Sequence, residues 1–224
     1  MERKYYEAYD DRYKQVHQAN LCWFDSKHSP VLAEIIDNYH ICKEHSILEI
    51  GCGEGRDAAF LLKGNYNLLA TDISPEAIRY CQQALPEKAE RFAVLDCLSQ
   101  NLDQRFDFIY AIAVVHMLVL DADRTAFYAF IKEHLSANGI ALICSMGDGE
   151  HEHSSDIRSA FNIQNRLHEG SGTYLNIAST SCRVVSIPNF RNEIENSGLC
   201  IFESGKTAIE PDFPQMLYAV VKKA

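Results

Sequence analysis

The 224-residue sequence lacks the features that mark secreted, membrane-spanning and nucleic-acid-binding proteins. It has no uninterrupted apolar run of about 18 residues, and its first residues, Met-Glu-Arg-Lys-Tyr-Tyr, include no apolar segment of a signal peptide. Lys and Arg number 21 against 31 Asp and Glu, and the longest basic runs are pairs such as Arg3-Lys4. Because a phosphate-binding surface needs clustered Lys and Arg, we expect no nucleic-acid partner. Because there is no long apolar run, we expect no membrane segment.

The eight cysteines lack the short spacing of a redox-active or metal-binding pair. No two of them form a C-x-x-C, and several, such as Cys81 and Cys144, stand in apolar segments where a thiol packs as a small hydrophobe. This pattern is typical of a reducing compartment, so we expect a cytoplasmic protein. His151-Glu-His153 has no third ligand nearby in the sequence, and we expect a solvated loop there and no metal.

What the sequence does contain is most informative between Ser46 and Asp57. An apolar strand is predicted over 47–50, followed by glycines at positions 51, 53 and 55 and then by a helix-forming apolar run. A strand, a glycine turn and a helix in immediate succession are typical of the first βα unit of an open α/β sheet. Glycine permits a ligand to approach the backbone closely there.

The spacing of these glycines distinguishes two classes of ligand. A dinucleotide fingerprint reads G-x-G-x-x-G and places a pyrophosphate at the helix N-terminus, whereas this turn reads Gly51-x-Gly53-x-Gly55. Glu49, on the preceding strand, suits a cationic ligand better than a pyrophosphate. S-adenosyl-L-methionine (SAM) carries an ammonium and a sulfonium and no phosphate, so the pattern favours SAM and disfavours a nicotinamide-dependent oxidoreductase.

A second carboxylate follows at a spacing typical of nucleotide-binding α/β folds. The next predicted strand, 67–72, ends in Asp72, 19 residues after Gly53, and an acid about 20 residues beyond the glycines binds ribose hydroxyls in such folds. Ser74-Pro75-Glu76 then supplies the cap, the first-position proline and the first-turn acid of a helix.

Together with a predicted strand over 106–112 and the segment Leu135-Ser-Ala-Asn-Gly-Ile140, these motifs identify a family. Residues 46–146 resemble a class I SAM-dependent methyltransferase of the small-molecule type, similar to the thiopurine and tellurite-resistance methyltransferases. The resemblance implies an α/β fold with a Rossmann-like, doubly wound, seven-stranded, mostly parallel sheet whose last strand is antiparallel. It implies one domain over 1–224, made of an N-terminal helical lid (1–40), a SAM-binding core (41–146), a substrate-covering insertion (147–188) and a C-terminal helix with strands (189–224).

The N-terminal segment 5–24 is rich in aromatic residues and ends at Phe24. Tyr6, Tyr9 and Tyr13 share one face of a predicted helix. Either this face packs against the domain as ordinary core, or the segment closes over the cofactor, as aromatic N-terminal segments do in related small-molecule methyltransferases.

The segment 147–188 exceeds the minimal fold that the resemblance implies. Its pattern predicts a helix over 156–167, a break at Gly170-Ser-Gly172 and a β-rich stretch over 173–187. We interpret it as an insertion over the C-terminal edge of the sheet.

The resemblance also implies which residues bind SAM and its product S-adenosyl-L-homocysteine (SAH). Glu49 and the glycine turn are expected to hold the methionine part, Asp72 the ribose hydroxyls, and Asp96 the adenine amino group. Arg56 or Asp57, at the start of the first helix, is expected to reach the methionine carboxylate through solvent, or Asp57 only stabilises its helix through the dipole. The expected cofactor-binding residues are Glu49, Gly51, Cys52, Gly53, Arg56, Asp57, Asp72, Ile73, Asp96, Cys97, Ala113, Tyr13 and Trp23.

Methyl transfer from a sulfonium is an in-line displacement, for which the protein supplies alignment. A general base is needed only where the acceptor is protonated at neutral pH. The candidate bases are His116, Asp148, His151, His153 and Tyr174, of which we retain His116 and Asp148 as candidate catalytic residues. Related methyltransferases often have a histidine at the position of His116, commonly in a structural role.

Two functions remain open from the sequence. The first is a methyltransferase with a small-molecule acceptor, acting as a monomer or homodimer. The second is a SAM-binding module that senses or scaffolds without transferring a methyl group. Arsenic methylation, which uses several thiols, is disfavoured because the eight cysteines form no matching cluster.

Overall fold

The computed structural model describes residues 3–23, 27–168, 170–211 and 213–224. In this part of the chain the helices are α1 (Ala8–Gln18), α2 (Pro30–Asn38), α3 (Arg56–Lys63), α4 (Pro75–Ala84), α5 (Asp121–His134) and α6 (Ile187–Asn196). The strands are β1 (Ser46–Ile50), β2 (Asn67–Asp72), β3 (Phe92–Val94), β4 (Phe106–Ile112), β5 (Leu135–Met146), β6 (His153–Ser154), β7 (Ile163–His168), β8 (Thr173–Ala178), β9 (Arg183–Val184), β10 (Leu199–Ile209) and β11 (Phe213–Lys223). Of the described helices, none combines the length and the apolar character needed to cross a membrane.

Seven strands form one sheet in the order β10-β11-β5-β4-β1-β2-β3. The pairs from β5 to β3 are parallel, and β11 pairs antiparallel with both β5 and β10. The predicted Rossmann-like sheet, mostly parallel with an antiparallel last strand, is therefore confirmed.

The central strands are apolar on both faces because helices cover both faces of the sheet. Successive residues of β1, Ile47 and Leu48, are both buried but belong to different hydrophobic clusters. Their parallel partners on β4, Phe108 and Ile109, divide in the same way. Each of these strands therefore contributes side chains to both hydrophobic clusters, one on each face of the sheet. This explains why the sequences of β1 and β4 are almost continuously apolar.

The predicted N-terminal helical segment is present. A 3-10 turn at Tyr5–Glu7 leads into α1, and the side chains of Tyr6 and Tyr13 are buried. Phe24, which ends the aromatic segment in the sequence, lies outside the described residues.

The predicted helix over 156–167 is wrong. A 3-10 turn at Ile157–Ser159 is followed by β7, which pairs antiparallel with β8, so that Gly170-Ser-Gly172 belongs to the turn of a hairpin. Ile163 and Leu167, two apolar residues of the misleading pattern, are 59% and 41% exposed. The segment forms a hairpin because its backbone N–H and C=O groups hydrogen-bond between β7 and β8. In addition, β8 packs on α1, and these long-range contacts leave no signal in the local sequence pattern.

Candidate functional site

The glycine turn between β1 and α3 adopts a backbone conformation that other residues rarely take. Gly51, Gly53 and Gly55 have φ angles of +74°, +53° and +80°. A Cβ atom on Gly53 would lie 2.7 Å from the hydroxyl oxygen of Tyr13, and one on Gly51 would lie 2.4 Å from a methyl group of Val114. The glycines are therefore needed for the packing of the chain itself as well as for the approach of a ligand.

Asp72, the last residue of β2, links this turn to the next helix. Its Oδ2 accepts a hydrogen bond from the Gly53 amide at 2.8 Å, and its Oδ1 accepts one from the Ser74 amide at 2.8 Å. Burial raises the pKa of Asp72 to about 6 despite these two bonds. The carboxylate is thus oriented before any ligand arrives, and it is held in a poorly solvated place.

A narrow cavity of about 80 Å³ lies at the carboxyl ends of the parallel strands. This is the place where open α/β sheets bind ligands. The structure brings six of the expected cofactor-binding residues to it, namely Tyr13, Gly51, Asp72, Ile73, Asp96 and Cys97.

Glu49 is buried in β1, and its Oε2 has no hydrogen-bond partner among the described residues. Burial, with the nearby charge of Asp57, raises the pKa of Glu49 well above its ordinary value. A buried carboxyl oxygen without a donor fits a cationic ligand, because an ammonium would supply both the donor and the compensating charge.

Asp96 already has a cationic partner in the N-terminal segment. Its Oδ2 lies 2.7 Å from Nζ of Lys4, and its Oδ1 accepts a hydrogen bond from the Leu98 amide at 3.0 Å. The ion pair holds the start of the chain against the end of β3. The contact of Asp96 with an adenine amino group stays a prediction.

Arg56 and Asp57, at the start of α3, point to α2. The Ser29 amide and hydroxyl donate to Asp57 at 2.6 and 2.7 Å, and Nη2 of Arg56 donates to the Ser29 hydroxyl at 2.9 Å. The two residues therefore join α2 to α3. Cys52 is buried in the turn, and Ala113 is held at φ +60° while its amide donates to the Cys144 carbonyl at 3.2 Å.

A second, larger cavity of about 660 Å³ adjoins the narrow one. Tyr9, Tyr13 and Met117 line both cavities. Trp23 and His116 line the larger one, which α1 and the β7–β8 hairpin enclose on one side. Its volume is within the range of small-molecule binding sites.

His116 lies in a 3-10 turn at Val115–Met117, after β4. It is buried, and its Nδ1 has no hydrogen-bond partner among the described residues. Burial, with the charge of Arg124, lowers the pKa of His116 to about 3. The imidazole is therefore neutral at physiological pH and is a weak base, although its Nδ1 remains able to accept a hydrogen bond.

The structure does not bring Asp148 to either cavity. Its carboxylate accepts hydrogen bonds from the amides of Glu150 and His151 and lies 2.6 Å from Nδ1 of His151. These bonds hold the pKa of Asp148 well below its usual range. His151, His153 and Tyr174 are exposed, and among the described residues no group of three or more His, Cys, Asp or Glu is placed to hold a metal ion.

Contacts between α1 and the hairpin were not predicted. Arg12 donates to the carbonyls of Ala178 and Ser179, at 3.0 and 2.7 Å from Nη2, and Tyr9 donates to the Ser181 carbonyl at 2.8 Å. These partners are more than 160 residues apart in the chain. No local sequence signal identifies such a pair, since each of these carbonyls belongs to the backbone.

His17, near the end of α1, binds two carboxylates at once. Its Nε2 lies 2.9 Å from Glu54 in the glycine turn, and its Nδ1 lies 2.6 Å from Glu76 in α4. The ring stacks on Tyr80 at 4.6 Å between centroids. Burial opposes the charge of His17, but the bonds to the two carboxylates outweigh burial and raise its pKa.

We expect His17→Gln to destabilise the protein more at pH 6 than at pH 8.5. The pKa of His17 is higher in the folded protein than in the unfolded chain. The stabilisation that the charged His17 provides is therefore fully present at pH values below the unfolded-state pKa, and it is lost as the pH rises through the folded-state pKa. At low pH the loss should be about 1.5–3 kcal/mol, typical of hydrogen bonds to charged groups. Urea unfolding of both proteins across this pH range measures the difference, and a difference that grows with pH would contradict the assignment.

Comparison with known proteins agrees with this geometry. Residues 48–141 match the family model described as "Methyltransferase domain". The chain is 29% identical to Hemagglutinin 1 of Eikenella corrodens, over 56% of this chain and 43% of that protein. It is 23% identical to the probable S-adenosyl-L-methionine-dependent methyltransferase TehB of Haemophilus influenzae, over 54% of this chain and 43% of that protein. The chain thus spans less than half the length of these curated relatives.

Solved structures share the fold. The 1,6-didemethyltoxoflavin-N1-methyltransferase of Burkholderia thailandensis, solved with 1,6-didemethyltoxoflavin and S-adenosylhomocysteine bound, superposes with a TM-score of 0.70. The match covers 100% of this chain and 92% of that one at 17% sequence identity, which shows similarity of fold.

Proposed function

Since the chain belongs to the class I SAM-dependent methyltransferases, whose cofactor is SAM, we propose that it transfers the methyl group of SAM to a small-molecule acceptor in the larger cavity. The observation that supports this proposal best is the wall that the two cavities share. Tyr9, Tyr13 and Met117 line both the narrow cavity at the strand ends and the larger cavity beside it, so the two cavities adjoin. A methyl donor in one and an acceptor in the other would meet where the cavities adjoin.

Two carboxylates beside the glycine turn support SAM as the ligand, of which Asp72 lines the narrow cavity and Glu49 lies buried on β1 behind it. The unpartnered Oε2 of Glu49 would accept from the ammonium of the methionine part. The carboxylate of Asp72, oriented by the Gly53 and Ser74 amides, is suited to ribose hydroxyls. When bound, SAM supplies a methyl group already activated by the positive sulfur. The chain would align the acceptor with that methyl group and exclude water.

Calorimetry with SAM, SAH and NAD tests the proposal. We expect SAM and SAH to bind and NAD not to bind, because the turn has the wrong glycine spacing for a pyrophosphate. Tighter binding of NAD than of SAM would overturn the assignment. A mass-spectrometric screen of small molecules for transfer of the methyl group of SAM then separates the enzyme from a non-catalytic SAM-binding module, for which no acceptor would be found.

We expect His116→Ala and Asp148→Asn each to lower kcat less than about a hundredfold, since a general base contributes roughly 10²–10⁴-fold where one is used. The low pKa of His116 makes it a poor base, and Asp148 lies outside both cavities. Alignment of acceptor, methyl group and sulfur should therefore dominate catalysis. The measurement is kcat and its pH profile with an acceptor from the screen. A larger loss together with a changed pH profile would identify that residue as the base.

The proposal assigns a covering role to two segments, the N-terminal residues 1–40 and the insertion 147–188. Their described parts enclose the larger cavity from one side, through α1 and the β7–β8 hairpin. The core 41–146 would bind SAM, and 189–224 would complete the sheet. A cytoplasmic location and a monomeric or homodimeric state remain predictions from the sequence, as does the absence of a nucleic-acid partner.

A further inference from the structure

The wall of the larger cavity differs in charge from the rest of the molecule. The whole chain has 31 acidic and 21 basic residues, yet none of the described residues that line this cavity is Asp or Glu. Two arginines line it, Arg12 from α1 and Arg166 from β7. The described part of the cavity wall therefore has positive charge within a protein of net charge −10.

Arg12 is buried without a carboxylate partner among the described residues. Its guanidinium donates only to backbone carbonyls, those of Ala178 and Ser179. The groups that act on its charge are Tyr9, Tyr13 and Arg166, of which Arg166 is a like charge. A buried cation beside a second cation is unfavourable unless an anion compensates both.

The two guanidinium groups converge on one side chain. The Arg12 guanidinium carbon lies 5.3 Å from the centre of the Trp23 ring, and that of Arg166 lies 4.9 Å from it. Trp23 is itself anchored, because its amide donates to Glu54 at 2.8 Å and its ring packs edge-on against His168 at 6.0 Å. The indole thus keeps both cations at the same part of the cavity.

We propose that Arg12 and Arg166 bind an oxyanionic group, a carboxylate or a phosphate, of the methyl acceptor. Arg166 presents its donors in a planar fork that matches the oxygens of both groups. Arg12, whose Nε and Nη2 donate to backbone carbonyls, would add its charge and its Nη1. The proposal rests on the function proposed above, since it concerns the acceptor of that reaction. The two cations would attract an organic anion to this cavity within a chain whose net charge is −10.

Trp23 is the only tryptophan of the chain, so its fluorescence reports on this subsite directly. We would titrate the SAH-saturated protein with benzoate, phenyl phosphate and the neutral benzamide. We expect benzoate or phenyl phosphate to bind at least about tenfold more tightly than benzamide, since a charge-assisted bidentate bond is lost in the amide. The tighter of the two anions identifies the group. Equal binding of all three, or no binding of either anion in the millimolar range, would overturn the proposal.

Arg166→Gln is the informative variant. Arg166 lines the cavity but is exposed to solvent, so replacing it should leave the fold intact. We expect it to abolish most of the preference for the anion over benzamide. The matched control is Arg158→Gln, which removes an exposed arginine of the same insertion that pairs with Asp156 outside the cavity lining. Arg12→Lys retains the charge but not the fork, and should weaken anion binding less than Arg166→Gln does.

Ionic quenchers test the local charge without any ligand. Relative to N-acetyltryptophanamide in the same salts, iodide should quench Trp23 more and caesium less, although the net charge of −10 favours caesium, and Arg166→Gln should lower this iodide-to-caesium quenching ratio. A ratio equal to or below that of N-acetyltryptophanamide would count against the proposal. Failure of SAM and SAH to bind would refute the proposed methyltransferase function, whereas SAH binding without any preference for anions would refute only this inference.

Discussion

Asp72→Ala is expected to weaken the binding of SAM and SAH by about 1.5–3 kcal/mol, roughly 10- to 150-fold. The carboxylate would lose its contact with the ribose hydroxyls, and the amides of Gly53 and Ser74 would lose their acceptor. Both effects act on the narrow cavity, so the loss should appear in binding measured by calorimetry. An unchanged dissociation constant in a folded variant would show that the ribose binds elsewhere.

The pH dependence of binding provides an independent check on Asp72. Its pKa is raised to about 6, so the group becomes protonated as the pH falls below this value, and a protonated carboxyl no longer accepts from both hydroxyls. We expect the affinity for SAH to fall as the pH decreases from 7 to 5. In Asp72→Asn this dependence should disappear, since the amide does not titrate in that range. A dependence that persists in the variant would assign the titration to another group.

Arg124→Met is expected to lower the free energy of unfolding by about 3–5 kcal/mol, the range found when one partner of a buried ion pair is removed. Arg124 is 2% exposed and donates to both carboxylate oxygens of Glu193, at 2.9 and 2.6 Å. It also donates to the carbonyls of Val115 and Leu118, which flank the turn containing His116. Methionine fills much of the volume but removes the donor to the two carbonyls, and it leaves Glu193 with only Tyr128 and Arg183 as partners. Urea unfolding measures the change.

Two further variants test the cause of that loss. Arg191→Met removes an arginine of α6 that is 43% exposed and lies 3.6 Å from Glu195, and it should cost less than about 1 kcal/mol. Glu193→Leu combined with Arg124→Met should recover part of the stability, since no buried charge then lacks its partner. If the double variant were as unstable as the sum of the single ones, the loss would come from packing rather than from the ion pair.

The local motifs of the proposed cofactor site were predictable, and the reason is physical. The turn at Gly51, Gly53 and Gly55 and the acid at Asp72 belong to one βα unit and its neighbouring strand, so their positions follow from short-range geometry. The narrow cavity does gather Tyr13 and Asp96 with them, as expected. The pairing of Asp96 with Lys4 was not predictable, because the two residues are 92 positions apart.

The larger cavity could not be predicted in the same way. The sequence pattern over 156–167 favoured a helix. The segment forms a hairpin instead, because β7 pairs with β8 and the hairpin packs on α1. This choice places Arg166 beside Arg12 and Trp23. Asp148, a plausible base in the sequence, lies outside both cavities, and its carboxylate is bonded within its own loop.

The sequence by itself determined the apolar strands, the glycine turn and the carboxylates of β1 and β2, because apolar runs, φ-permissive glycines and helix caps act over a few residues. Only the tertiary structure decided the charge state of His116, the anchoring of α1 by His17 and the two arginines of the larger cavity. These depend on burial and on partners distant in the chain. Desolvation and long-range pairing arise only when the elements pack, and they determine what the larger cavity can bind.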